Sequence, residues 1–169
     1  WSGWHKDSQE NGIFSRYPIV DTDIRYVKAP HDPQAIDYSN EGRVYIESQL
    51  QVEGTPLFVG TTHMSYAHRF EPSTERQAED TKLLGFLQRN SHFVFAADLN
   101  THPGTELVNA LSTRFKNAGP AFAEKTWTTK PFDYGGFKED KLNWRLDYVF
   151  TTPDIRVLRA EVIRTDISD

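Results

Sequence analysis

The 169 residues carry a formal charge of -5, with 37% hydrophobic and 25% charged side chains, the composition of one globular domain with a single core rather than of a disordered chain. There is no cysteine, which excludes a disulfide scaffold, thiolate metal sites and a cysteine nucleophile, so any chemistry rests on His, Asp, Glu, Asn and hydroxyls. The acidic balance argues against broad adhesion to nucleic-acid backbones, and no apolar run reaches the roughly 18 residues of a membrane span.

Residues 12–20 form a short apolar stretch in which Pro18 marks a strand edge or exit. From 41 to 52, Val44, Ile46, Leu50 and Val52 alternate with polar neighbours, the pattern of a half-buried strand. Gly54-Thr55-Pro56 then turns the chain into a second strand ending at His63, so a hairpin is expected. Thr74-Glu75-Arg76-Gln77 fits a capping box and places Thr74 at a helix start. Ala78, Leu84 and Leu87 supply the apolar stripe of that helix, with Arg76, Gln77 and Asp80 on its solvent side. The run His92-Phe93-Val94-Phe95-Ala96 reads as a buried strand, and a second helix from about Thr105 carries Leu107, Val108, Leu111 and Phe115 on one face. Residues 117–143, rich in Gly, Pro and aromatics, show no long period; a connection of that length usually carries function or is partly mobile. Residues 145–151 and 155–163 again read as strands. No repeat or linker interrupts the chain, so 1–169 is expected to be a single domain.

The chemistry concentrates at strand ends. Ala97-Asp98-Leu99-Asn100 follows an apolar run, and a period of two puts Asp98 and Asn100 on one face. Alone, Asp-x-Asn is common in turns. The strand before it, Pro103-Gly104 after it and the earlier strand end Thr61-Thr62-His63 make it specific. Asp147, inside Arg145-Leu146-Asp147-Tyr148-Val149-Phe150, is a carboxylate in an apolar run and needs a partner. His5, His31, His68, His92 and His102 lack zinc-site spacing, and neither a serine-hydrolase elbow nor a phosphate-binding Gly-Lys-Ser/Thr loop occurs.

In this order, Thr61-Thr62-His63, Ala97-Asp98-Leu99-Asn100, the strand around Asp147 and Ser168-Asp169 resemble the endonuclease/exonuclease/phosphatase superfamily. Its members share the DNase I-like fold and hydrolyse phosphodiesters or phosphomonoesters with a divalent metal. The resemblance implies an α/β four-layer sandwich, two packed mixed β-sheets flanked by helices, and a phosphodiesterase or nuclease dependent on Mg²⁺ or Mn²⁺. It implies Asp98 as the base, Asn100 and His63 on the phosphate, Glu10 orienting His63, and Asp169 at the metal. Asp147 would orient a His that follows Asp169 in the family. Ala97 stands where the family usually has Gly, which adds only a methyl. Trp127 is similar to the Trp of tyrosyl-DNA phosphodiesterase-like members and would stack on a base or a tyrosine, although core packing is the commoner fate of Trp. Arg145 is either a residue beside the phosphate or a strand-edge cation.

The same resemblance implies that upstream strands, with an Asn and a metal-binding Glu, and the residue after Asp169 are absent. The chain is therefore expected to be a partial domain, inactive alone, whose full form acts as a monomer on a phosphoester: nucleic acid or a small phosphodiester. Two alternatives stay open. One is a non-catalytic piece that folds or binds only with its missing half, because exposed sheet edges invite pairing. The other is a phosphomonoesterase or sphingomyelinase-type member.

Overall fold

The computed structural model describes residues 11–31, 42–127, 130–134, 136–141 and 143–164. Its elements are β1 (Ile19–Lys28), β2 (Arg43–Val52), β3 (Thr55–His63), α1 (Thr74–Phe86), β4 (Phe93–Asp98), α2 (Glu106–Arg114), β5 (Lys116–Asn117), β6 (Phe132–Tyr134), β7 (Phe137–Glu139) and β8 (Asp147–Thr151). Six strands form one mixed sheet in the order β1-β2-β3-β4-β8-β5, and β6 with β7 forms a separate ribbon. β3 and β4 are parallel because α1 carries the chain back across the sheet between them, as a parallel pair requires. The other pairs are antiparallel.

The β2–β3 hairpin closes through Glu53 (φ 47°) and Gly54 (φ 87°), with Val52 paired to Thr55. Two successive positive φ values give the turn a twist that matches its strands, and Gly at the second position makes this inexpensive. Further along β3, a Cβ on Gly60 would meet the Tyr45 hydroxyl at 2.7 Å. That glycine leaves room for Tyr45, which is wholly buried and donates to Glu47 Oε2 at 2.6 Å.

β4 shows why the sheet has two different faces. Phe93, Phe95 and Ala97 are buried while Val94, Ala96 and Asp98 are only partly so, the alternation of a pleated strand. The buried set joins Tyr45, Tyr148 and Phe150 with Leu83 and Leu87 of the α1 region and Leu107, Val108 and Leu111 of α2. Each such side chain contributes about 1.5–3 kcal/mol when fully buried. The opposite face of β4 carries Val94, Ala96 and, at the strand's end, Asp98.

Several sequence expectations are corrected. The first strand does not cover 12–20; it starts at Ile19, after Pro18, and runs on through Asp21, Asp23 and Arg25 as the exposed edge of the sheet. Polar residues are at home there because an edge strand is wetted on both sides. The cap of α1 is Ser73, whose hydroxyl accepts from the Arg76 N–H at 3.2 Å, not Thr74. The buried stripe of α1 is Arg76, Glu79 and Leu83, so Ala78 is exposed and Arg76 is not on the solvent side. Residues 155–163 form no strand, and Leu158 and Ile163 are exposed. The fold class itself holds: the described residues build a six-stranded mixed sheet and a small two-stranded one, with helices packed on the large sheet, the mixed α/β arrangement that was expected.

Candidate functional site

Three strand ends meet at one end of the sheet. β3 and β4 finish together, so their register sets His63 beside Asp98. β8 starts where β4 stops, so Asp147 lies directly across from Asp98. Cross-strand partners project from the same face, and here that is the face turned away from the helices. Register alone therefore builds a row of His63, Asp98 and Asp147 over three strands.

Beyond β4 the chain turns sharply. Asn100 is buried with φ 45°, a left-handed conformation that Asn tolerates better than most side chains. The turn brings its backbone N–H to Asp98 Oδ1 at 2.8 Å and its Nδ2 to the Met64 carbonyl at 2.9 Å. The same Nδ2 lies 3.1 Å from His63 Nε2 and donates to it when the imidazole proton sits on Nδ1. His63 Nε2 is also 3.5 Å from Asp98 Oδ2. The Met64 N–H donates to the Asp98 carbonyl at 3.0 Å, tying the two strand exits together.

Burial pushes the Asp98 carboxyl above its usual range, against the Asn100 N–H and the charges of Arg76 and Arg43. Asp147 is pushed up to about 6, first by desolvation and then by the Asp98 charge, with Thr126, Arg145 and His63 opposing. Two carboxylates facing each other cannot both ionise freely. The linkage sign follows: the folded pKa of Asp147 exceeds the unfolded value of about 3.9, so the folded chain retains a proton that the unfolded chain has released. Its stabilising effect is complete below about pH 4 and is lost as pH rises through about 6. The urea midpoint of Asp147→Asn is therefore expected to gain on wild type as pH is raised from 4 to 7. Parallel midpoint curves for the two proteins would remove Asp147 from this coupling.

The surroundings of Asp147 are held from the preceding loop. Thr126 Oγ1 accepts from the N–H groups of Leu146 and Asp147, both at 3.0 Å. The Tyr148 hydroxyl lies 2.9 Å from the Thr101 carbonyl and 3.0 Å from that of Arg145. Arg145 is 1% exposed and directs its guanidinium at the carbonyls of Pro120, Ala121 and Glu124 at 3.3–3.5 Å. It sits at the wall of a cleft of about 410 Å³ that Thr61, Ala96, Asp98, Thr126 and Asp147 also line. Gly119 leaves room beside it, since a Cβ there would lie 2.9 Å from Arg145 Nη2 and push the guanidinium aside. Trp127 packs edge-on against Phe70 and Phe132, at 5.1 and 5.0 Å between centroids, in a second aromatic cluster with Phe137 and Trp144.

His63, Asp98, Asn100 and Asp147 are thus brought together; Arg145 borders them, and Trp127 belongs to the neighbouring cluster. Glu10 and Asp169 lie outside the described residues. Among the described residues no group of three His, Asp or Glu side chains could hold a metal. The Asp98 and Asp147 pair is hard oxygen chemistry of the kind Mg²⁺ and Mn²⁺ favour, yet two carboxylates alone do not complete a site. Sequence reasoning missed Arg76, whose guanidinium reaches the Leu99 carbonyl at 2.6 Å. Its spacing to Leu83, two helical turns on, was the available signal.

A model of the Endonuclease/Exonuclease/phosphatase family matches residues 2–169. No curated protein sequence matches the chain. Among solved structures, beta toxin 275-280 from Staphylococcus aureus superposes with a TM-score of 0.54 at 17% identity, over 83% of this chain and 52% of that one. The human nocturnin catalytic domain gives 0.51 at 16%, over 80% and 48%. A mannosyl-6-phosphatase from Bacteroides thetaiotaomicron gives 0.50 at 15%, over 82% and 54%. At such identities the likeness concerns the fold, and this chain spans about half the length of these solved relatives. With the family match running along nearly its whole length and the mixed sheet of the same architecture beneath it, the chain belongs to the Endonuclease/Exonuclease/phosphatase family.

Proposed function

We propose that this chain carries part of the catalytic machinery of a phosphoester hydrolase, a phosphodiesterase or nuclease assisted by Mg²⁺ or Mn²⁺. The observation that carries the reading is the row of His63, Asp98 and Asp147 with Asn100 folded back onto it. In-line attack on phosphorus needs a base for water and donors for the phosphoryl oxygens. Asp98 is the base: its carboxylate is fixed by the Asn100 N–H, and partial burial raises its basicity. Asn100 Nδ2 and His63 Nε2, 3.1 Å apart, are the groups we assign to the phosphate, each turning an N–H to it once the imidazole proton sits on Nε2 and the two no longer bond to each other. Asp147 adds negative charge across from Asp98 and orients a neighbouring donor.

The divalent ion, when bound, supplies charge that offsets the phosphoryl oxygens and the two facing carboxylates. Asp169 is the residue we assign to it, and Glu10 the one that orients His63. Arg145 and Trp127 act here as supports, one bonded to backbone carbonyls and the other packed among rings. A net charge of -5 favours a small or end-type phosphoester over a long duplex. The names of the neighbouring structures, a phosphatase among them, keep a phosphomonoester within this class.

The test is hydrolysis of bis-(p-nitrophenyl) phosphate and of p-nitrophenyl phosphate by the full-length protein with Mg²⁺ or Mn²⁺. Release from the diester, abolished by a chelator and restored by added metal, is the expected result. Release from the monoester alone would move the reading to a phosphatase, and inertness toward every phosphoester tried would sink it.

A further inference from the structure

Arg76 is 3% exposed although it sits in the first turn of α1, between the exposed Glu75 and Gln77. A guanidinium kept out of water is costly unless its forked N–H groups find acceptors. Here Nη2 donates to the Leu99 carbonyl at 2.6 Å, and Nη1 to the Ser65 carbonyl at 2.9 Å and the Asn100 carbonyl at 3.4 Å. Nε donates to Asp80 Oδ1 at 3.0 Å. One turn further, Glu79 accepts from the Ser65 hydroxyl at 2.7 Å and the Ser65 N–H at 3.3 Å. Helix α1 therefore holds the exit of β3 and the exit of β4 with one side chain, and reinforces the first with a second.

The consequence for the site is geometric. Turning the Leu99 and Asn100 carbonyls toward α1 fixes the peptide planes on either side of the left-handed Asn100. That orientation aims the Asn100 amide back at Met64 and His63. We propose that Arg76 is a positioning residue that locks the β3 and β4 exits so that His63, Asp98 and Asn100 face one phosphorus. The proposal rests on the phosphoester-hydrolase reading for its catalytic half. A lysine cannot reproduce it, because a single point charge does not span carbonyls from two loops as a planar fork does.

The experiment uses the full-length protein with Arg76→Lys and Arg76→Ala. Steady-state kinetics on bis-(p-nitrophenyl) phosphate are paired with amide hydrogen exchange at Met64, Leu99 and Phe95. In Arg76→Lys, kcat is expected to fall tenfold or more and by more than KM rises, since small misplacement of reacting groups is costly. Exchange at Met64 and Leu99 accelerates at least tenfold while Phe95, inside β4, keeps its protection. Millimolar guanidinium restores part of the kcat of Arg76→Ala. Equal acceleration at Phe95 would make Arg76 a general stability residue and overturn the proposal, as would wild-type kcat and exchange in Arg76→Lys. If Arg76→Ala fails to fold, Arg76→Lys decides. If the wild-type protein hydrolyses nothing, the function reading falls on its own, and exchange still decides whether Arg76 clamps the two exits.

Discussion

Asp98→Asn is expected to lower phosphodiester hydrolysis on the order of a hundredfold or more, because an amide cannot take the proton of the attacking water. The substitution is nearly isosteric. Its Oδ1 still accepts from the Asn100 N–H, which wild-type Asp98 holds at 2.8 Å, and β4 keeps its pairing to β3 and β8 through the backbone. Stability moves the other way. The wild-type carboxyl is pushed up chiefly by burial, so the charged form is disfavoured in the fold, and a neutral amide removes that cost. Loss of rate without loss of melting temperature at neutral pH is therefore the signature of a base. The check is kcat/KM with metal held constant, beside a thermal melt. A rate equal to wild type would dismiss Asp98 as the base, and a collapsed melt would show that Asp98 matters to the fold instead.

The site was more legible in the sequence than the frame that supports it. His63, Asp98 and Asp147 were singled out by the resemblance of their motifs to the family, and the structure sets all three at strand ends because each lies where an apolar run of strand length ends or begins. Helix α2 was equally plain, since Leu107, Val108 and Leu111 are both apolar and buried. The phase of α1 was hidden because its buried stripe includes a cation and an anion, Arg76 and Glu79, and hydrophobicity cannot locate a face defined by hydrogen bonds. β1 was hidden for a related reason: as an edge strand it mixes Asp21, Asp23 and Arg25 with Ile24 and Tyr26. Residues 155–163 failed in the opposite sense. Val157, Leu158 and Ile163 have strand-like character, but strand propensity expresses a fit to neighbours, and the described residues offer them no partner strand. The contacts that shape the site, from Thr126 to Asp147 and from Arg76 to Leu99, join positions distant in sequence and leave no local pattern.

Asn100 separates side-chain chemistry from backbone shape, and two substitutions part them. Asn100→Gly accepts φ 45° without steric cost, whereas Asn100→Ala places a Cβ in the left-handed region. On conformation alone Gly is expected to be the more stable of the two by about 1 kcal/mol or more, read from urea midpoints. Both remove Nδ2, and with it the donor that reaches Met64 and His63. Neither removes the Asn100 or Leu99 carbonyl, so Arg76 keeps its acceptors. If Nδ2 holds the phosphate in the transition state, both variants are expected to lose on the order of a hundredfold in kcat/KM, as when a single oxyanion donor is deleted. The rates would then fall together while the stabilities differ. A Gly variant as fast as wild type would mean that the left-handed turn, by aiming Asp98 and His63, carries the whole contribution of position 100, and the phosphate donor would have to be sought among the neighbouring groups.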